Sequence, residues 1–548
     1  MRKFRGNPWA VLIVVSLGFF MTLLDLTIVN IAIPSMISEL HASFDDVLWV
    51  VNAYALVLAV LVITCGRLGD LMGPRSLFAV GVTVFTAASA ACGLAPSPGW
   101  LIAFRAVQAV GAALLMPQTL AIITMVFPPE RRGAAFGVWG AVAGAATIAG
   151  PTLGGLLISA FDWRWIFYVN LPIGALVLAL TWVLIPDLRP GRKHRLDIPG
   201  VVLASGGLLA ICYGLVEGQT YNWGTITGFI SIPLVLGVGV LLVAAFLFAQ
   251  WRQQDREPLV PFSLFRNRDF SVMNFVSGTL VIGMMGIFLP LTIYLQSVLG
   301  FSALKAGLVM APASLISVFI APLAGRMTDK IGGKYILFTG LLLFAVGMGL
   351  TFLVAKPTSS WPDFLPGLLV AGVGMGGTFA PLTTTAMRNV EPQMAGAASG
   401  VLNTIRQVGT VIGTAAVGAL LQNRLIAAWT SQATSRSRGL PGPVRSQLVA
   451  GFRNSAKSGL QVGSGQNGGV HLPPHTPAPL AHQITLIGQQ VFSTGFVQGM
   501  RWTVVMPVGM MLLAALSCLA IRSRKPSAAP AAAADNATAT AGTSSSAG

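Results

Sequence analysis

Gly66-Arg67-Leu68-Gly69-Asp70-Leu71-Met72-Gly73 recurs 259 residues later as Gly325-Arg326-Met327-Thr328-Asp329-Lys330-Ile331-Gly332, with Gly, Arg, Asp and the closing Gly in register. A second pair, Gly133-Ala134-Ala135-Phe136-Gly137-Val138 and Gly396-Ala397-Ala398-Ser399-Gly400-Val401, recurs at an offset of 263, and that offset also aligns Gly150 with Gly413 and Gly155 with Gly418. Two nearly equal offsets describe one duplicated unit. Every copy abuts a long apolar run, so the duplicated object is a set of helices.

The composition says where those helices live. Of 548 residues, 54% are hydrophobic and 9% are charged, and the mean hydropathy is +0.75. Soluble domains carry about 25% charged residues, so this chain has too little charge for a water-exposed surface. A soluble enzyme and a disordered chain are excluded, and the composition argues against an alternating-pattern barrel. Fourteen runs are long and apolar enough to cross a bilayer, at roughly 9–33, 47–66, 77–95, 100–126, 133–159, 165–185, 198–217, 226–248, 270–297, 304–324, 335–355, 362–388, 396–421 and 501–521. The repeat sets spans 1–6 against spans 9–14 and leaves spans 7 and 8 as an insertion. Two six-helix halves around a central site is the architecture of alternating-access carriers.

Net charge is +17. In a soluble protein that would suggest nucleic acid, but here the bases sit in short loops. With both termini inside, the inner segments hold 22 Lys and Arg, and the short outer loops hold only Arg164, Lys305 and Lys356. The positive-inside rule therefore sets N-in, C-in. Four cysteines, all in or beside apolar runs, give neither a disulfide framework nor metal spacing. The expected organisation is an N-terminal bundle over 1–190, a two-span insertion over 191–265 and a C-terminal bundle over 266–525. A polar external loop with little core of its own interrupts the last at 422–500, and a disordered tail fills 526–548.

Several motifs carry a family resemblance. Gly66 to Arg75 resembles the signature loop between the second and third spans of the major facilitator superfamily. Leu24-Asp25-Leu26-Thr27-Ile28-Val29-Asn30-Ile31-Ala32-Ile33-Pro34 resembles the first-span motif of its fourteen-span drug:proton antiporters. Trp163-Arg164-Trp165-Ile166-Phe167-Tyr168-Val169-Asn170-Leu171-Pro172 and Gly150-Pro151-Thr152-Leu153-Gly154-Gly155 are similar to further motifs of that subfamily. One departure is Ala146, where the fifth-span motif usually has Gly. The resemblance implies an all-α polytopic protein with the major facilitator fold, two six-helix bundles plus two inserted spans. It also implies a proton-driven exporter of small amphiphilic compounds in a bacterial cytoplasmic membrane. The alternative of the same fold is a carrier for a specific nutrient. No nucleotide-binding loop occurs, so the expected energy source is the proton gradient, with no cofactor, no metal and no obligate protein partner.

Of 17 acidic residues, Asp25 alone lies well inside a span. An ionisable group at that depth is expensive and is a functional candidate by default. It is read as the group that binds and releases the transported proton, and no histidine shares its depth. Arg105, about 10 Å into span 4 at 1.5 Å per residue, falls in the same outer half of the N-terminal bundle; Arg105-Ala106-Val107-Gln108 resembles a superfamily motif implicated in proton transfer. Asn30, Gln108, Asn403, Arg406 and Gln407 are candidate polar residues of the cavity. Met21, Phe20, Met116, Met284, Met285, Phe288, Met375 and Phe379 offer soft apolar lining. Glu217 is the next candidate for the proton if Asp25 is not the carrier.

By resemblance, Gly66, Arg67, Gly69, Asp70, Gly73 and Arg75 form a conformational latch. Its carboxylate would face the N-terminus of a helix in the opposite half, where the helix dipole favours negative charge, and so hold the outward-open state. Asp329 is expected to be the weaker mirror. Gly150, Pro151, Gly154 and Gly155 are expected, again by resemblance, to form the antiporter hinge between the halves.

Overall fold

The computed structural model describes residues 7–40, 42, 44–187, 197–218, 220–221, 223–254, 258–438, 440–457 and 478–521. The Arg-rich stretch from Arg189 to Arg195, the pair His471 and His475, and the tail at 526–548 lie outside the described residues, as do the side chains of Asn30 and Pro151.

Fourteen helices among the described residues are long and apolar enough to span a membrane. In the N-terminal half these are span 1 (Pro8–Glu39), span 2 (Phe44–Met72), span 3 (Pro74–Gly93), span 4 (Pro98–Val126), span 5 (Arg132–Ala160) and span 6 (Asn170–Leu184), the last preceded by a short turn of helix at Trp165–Tyr168. Span 7 (Ile198–Glu217) and span 8 (Ile232–Arg252) follow. The C-terminal half holds span 9 (Arg268–Ile293), span 10 (Ala303–Ile331), span 11 (Gly333–Val354), span 12 (Leu365–Met387), span 13 (Ala395–Arg436) and span 14 (Ala478–Cys518).

Local chemistry starts several of these helices. The Asn7 side chain accepts the Trp9 N–H at 3.0 Å ahead of Pro8, and Ser302 caps span 10 through the Lys305 N–H at 3.2 Å. Gly73 and Gly332, the closing glycines of the repeated octapeptide, both adopt φ 88°, a backbone region that side-chain-bearing residues avoid. They turn the chain sharply from span 2 into span 3 and from span 10 into span 11.

The duplication survives at atomic detail. A Cβ placed on Gly111 of span 4 would meet the Phe85 nitrogen and the Gly81 carbonyl of span 3; one on Gly374 of span 12 would meet the Phe344 nitrogen and the Gly340 carbonyl of span 11. The pairs Gly111/Gly374 and Phe85/Phe344 keep the offsets 263 and 259 read from the sequence. Close approach at small residues is how membrane helices gain packing energy, since lipid offers no hydrophobic drive between them.

The halves meet along two seams, span 2 against span 13 and span 5 against span 10. Spans 7 and 8 pack on each other and are joined by a small antiparallel hairpin, Thr225–Thr227 with Ile230–Ser231. Gln250 donates to Asp197, the cap of span 7, at 2.5 Å and ties the two cytoplasmic ends together. Span 7 lies against spans 2 and 13, so the insertion braces one seam from the lipid side.

The external segment differs from its expectation. It is largely helical: span 13 runs on to Arg436, a separate helix occupies Gly442–Lys457, and span 14 starts at Ala478. It also has a core. Trp429 stacks on Phe492 at 5.3 Å and donates its Nε1–H to the Phe492 carbonyl at 3.1 Å, and Phe452 of the intervening helix is buried 6.0 Å from the Trp429 ring. Three rings spread through polar sequence make this core, which is why mean polarity hid it.

Candidate functional site

Asp25 is 0% exposed, and its carboxylate is held from two neighbouring helices. Arg105 of span 4 donates through Nη1 to Oδ2 at 2.5 Å, Gln108 donates through Nε2 to Oδ1 at 2.9 Å, and Asn170 at the start of span 6 reaches Oδ1 at 3.4 Å. Gln108 in turn accepts from Arg105 Nη1 at 2.7 Å. Arg105 is 1% exposed; its Nε donates to the Val50 carbonyl at 3.2 Å, and its guanidinium lies 4.3 Å from the Tyr54 ring centroid. Asn170 also donates to Ser89 Oγ, which donates to the Phe167 carbonyl. An ion pair removed from water is tolerable only when its remaining donors and acceptors are satisfied, and this one is enclosed by spans 1, 2, 3, 4 and 6.

Gln108 therefore belongs to this network and not to a cavity wall. Asn170, Ser89 and Tyr54 were missed from the sequence as site residues. Asn170 stands in the sequence only as one position of the Trp163-to-Pro172 motif, and Ser89 and Tyr54 are of types common in any membrane helix. The Tyr54 hydroxyl and Asn170 Oδ1 are buried without a hydrogen-bond partner, so the network holds unused polar capacity beside the carboxylate.

The two seams close on the cytoplasmic side through matching carboxylates. Asp70 accepts the backbone N–H groups of Gly396 and Ala397 at 2.8 Å each, at the N-terminus of span 13. Asp329 accepts those of Gly133 and Ala134, also at 2.8 Å each, at the N-terminus of span 5. Asp329 was expected to be the weaker mirror; its two backbone hydrogen bonds match those of Asp70 in length, while Asp70 is buried and Asp329 half-buried. Glycine makes the crossing possible: a Cβ on Gly66 would stand 2.6 Å from the Gly396 carbonyl and 2.7 Å from Gly400 Cα. Arg67 adds a contact to Asp70 at 3.6 Å, and Gly69 leaves room for Gln118, which donates to the Cys65 carbonyl.

Arg75 departs from its expected place in the latch. It points into its own half, donating to the Trp182 carbonyl at 2.9 Å and stacking over the Trp182 ring. Arg132, which is not part of the expected latch motif, does cross the seam. It donates to the Met387 and Arg388 carbonyls of the other half and to Thr124 and Phe127 of its own, covering the open C-terminal carbonyls of spans 4 and 12. Nothing in its local sequence separated it from its neighbour Arg131.

The hinge residues are also placed differently. Gly150 and Gly154 face span 1 of the same half, at Thr27 and Ile28, two and three residues beyond Asp25; only Gly155 looks toward the other half, 3.9 Å from Leu304. The span 5 face that meets span 10 is carried by Gly133, Gly137 and Gly144. Thr27 donates to the Ala146 carbonyl at 3.4 Å.

Among the remaining candidates, Asn403 is buried and donates to the Ser399 carbonyl of its own helix. Arg406 is half-buried, donating to Ser277 Oγ and Thr383 Oγ1 at 3.1 Å each; Gln407 beside it is half-buried. Met21, Met116, Met284 and Met375 are buried in the main apolar cluster, with Phe20, Met285, Phe288 and Phe379 partly buried.

Residues 15–414 match the family model of the Major Facilitator Superfamily. The chain is 41% identical over 425 residues, 77% of its length and 72% of the relative's, to an uncharacterized MFS-type transporter of Mycobacterium tuberculosis. It is 33% identical to the tetracenomycin C resistance and export protein of Streptomyces glaucescens, covering 95% of this chain and 93% of that one. It is 37% identical to the puromycin resistance protein of Streptomyces alboniger, covering 81% and 87%. Among solved structures, the human organic anion transporter MFSD10 superposes with a TM-score of 0.55 at 14% identity over 75% of this chain and 93% of that one, which establishes likeness of fold alone. With two related six-helix halves, two carboxylate-closed seams and this match across most of its length, the chain belongs to the major facilitator superfamily and is a multi-pass transporter of the bacterial cytoplasmic membrane.

Proposed function

We propose that the protein is a proton-coupled exporter of amphiphilic compounds, with Asp25 as the proton-carrying group. The observation that carries the reading is the sealed carboxylate of Asp25 between Arg105, Gln108 and Asn170. Such a site stabilises a negative charge; adding a proton cancels it and leaves Arg105 without its counter-charge in a low-dielectric setting. Protonation is thus a strong local perturbation of the contacts between spans 1, 4 and 6. Span 5 offers a route from there to the gate. Its Gly150 and Ala146 pack on Thr27, two residues from Asp25, and its N-terminal N–H groups hold Asp329. One continuous helix joins the proton site to a cytoplasmic seam.

The names of the relatives, a tetracenomycin C export protein and a puromycin resistance protein among them, support export of drug-like molecules. The test is transport by purified protein in liposomes with an imposed pH gradient. Asp25→Asn keeps the size but replaces one acceptor oxygen with an NH2 donor and cannot titrate, and it should reduce uphill transport to background while leaving downhill exchange measurable. Uphill accumulation by Asp25→Asn would transfer the role to another group and sink the reading.

A further inference from the structure

We propose, building on the exporter reading above, that Arg406 is the substrate-recognising cation between the halves. The exported compounds are then aromatic amphiphiles that carry an acidic group. Arg406 stands about 16 Å along span 13 from Ala395, at 1.5 Å per residue, so its depth is that of the bilayer interior. A guanidinium has five N–H donors; here two serve the hydroxyls of Ser277 and Thr383, both neutral. Among the described residues no carboxylate lies within ion-pairing distance of Arg406, in contrast to Arg105, whose partner is Asp25. A cation at membrane depth is costly unless paired or wet. This one is half-buried and keeps three donors for a ligand.

Its surroundings say what else the ligand carries. The guanidinium lies 5.9 Å from the Phe379 ring centroid. Phe379 faces the opposite half, since a Cβ on Gly140 of span 5 would come 3.8 Å from Phe379 Cβ. Beside Gly140, Trp139 stacks on Phe19 of span 1 at 4.2 Å and 16° between planes, and the Trp139 Nε1–H is buried with no acceptor. The region thus holds one half-buried cation beside the partly buried Phe379 ring, with the Trp139–Phe19 stack and its unspent N–H donor buried in the adjoining core, and the acid of the N-terminal half is sealed away behind Arg105. Rings favour a planar aromatic body. Donors without acceptors favour a carboxylate, sulfonate or ionised phenol, and a forked guanidinium suits such a group better than an ammonium does. A cationic amphiphile would meet repulsion here and no compensating charge.

Two probes of one framework isolate the charge: 8-anilinonaphthalene-1-sulfonate and its neutral parent N-phenyl-1-naphthylamine. Equilibrium binding of both is measured on wild type, Arg406→Gln and Arg406→Lys in detergent. The preference for the sulfonate over the parent should fall at least about tenfold in Arg406→Gln, as expected for losing a charge-assisted hydrogen bond, and should be largely restored in Arg406→Lys. An unchanged ratio in a folded Arg406→Gln overturns the proposal. So does equal loss of both probes in Arg406→Gln and Arg406→Lys, which would make the residue structural. Uphill transport of the sulfonate by Asp25→Asn is measured in parallel. If it survives while the Arg406 ratio still falls, the proton reading fails and the anion site stands; the reverse pattern removes the anion site alone.

Discussion

Span 2 crosses span 13 and span 10 crosses span 5 through one device: a glycine lets the backbones touch, and the aspartate four residues on accepts two N–H groups from the facing helix end. Away from those seams the halves diverge. The N-terminal half encloses Asp25 and Arg105, whereas the positions 259 and 263 residues on are Met284 and Leu368, both buried and apolar. In the C-terminal half Arg406 donates to two hydroxyls and, among the described residues, has no acid within ion-pairing distance; the corresponding position 263 residues earlier is Ala143. Even the flanks differ, since span 7 packs against spans 2 and 13 and so braces the span 2 seam. The duplication is kept at the seams, while the interiors diverge, one around a buried ion pair and the other around a cation held by hydroxyls.

The sharpest way to break this comparison is to give the N-terminal half the residues of the C-terminal one. Arg105→Leu alone leaves an uncompensated buried charge and should cost about 3–5 kcal/mol, whereas Asp25→Met with Arg105→Leu exchanges the pair for apolar packing and should recover most of that. The double variant should fold and still show no uphill transport. Thermal unfolding in detergent together with pH-driven transport checks both halves of the statement; a double variant as unstable as Arg105→Leu would mean that the pair is needed for packing itself.

Next in size are the seams. Asp70→Asn and Asp329→Asn each remove a charge from a helix N-terminus, an interaction worth about 0.3–2 kcal/mol. That changes a two-state ratio roughly 2- to 30-fold, and initial efflux rates should fall in proportion. Because the hydrogen bonds match, the two variants should agree within a factor of about three. A wild-type rate for Asp329→Asn beside an impaired Asp70→Asn would show that the seams carry unequal load.

The smallest effect is expected at Ala146, where the residue departs from the usual glycine of the fifth-span motif. Its side chain is buried, but its contact with Thr27 is made by the carbonyl. Ala146→Gly should cost about 1 kcal/mol of helix stability and leave the transport rate within about twofold. A larger loss would mean that this methyl helps to seat Thr27 near Asp25.

Much of the fold was legible because its signals are one-dimensional. Span length follows from bilayer thickness, orientation from the placement of Lys and Arg, and the repeat from glycines that any close helix crossing must keep. Asp25 and Arg105 stood out for the same reason, as charges where charge is expensive. The partners were less legible. Asn170 reaches Asp25 from 145 residues away, and the ring trio of Trp429, Phe452 and Phe492 assembles from three separate helices. Composition averages over such scattered residues and reads the external segment as a loop.

By itself the sequence determined fourteen spans, their orientation, the duplication, the carboxylates at the two turns and one acid buried at depth, because each depends on residue type and spacing along the chain. Only the tertiary structure decided which way side chains point. It turned Gln108 to the ion pair, Arg75 to its own half, Arg132 across the seam, and Gly150 and Gly154 to span 1, and it set Arg406 against two hydroxyls. Helix rotation and partner choice decide these directions, and both are set by packing among residues hundreds of positions apart.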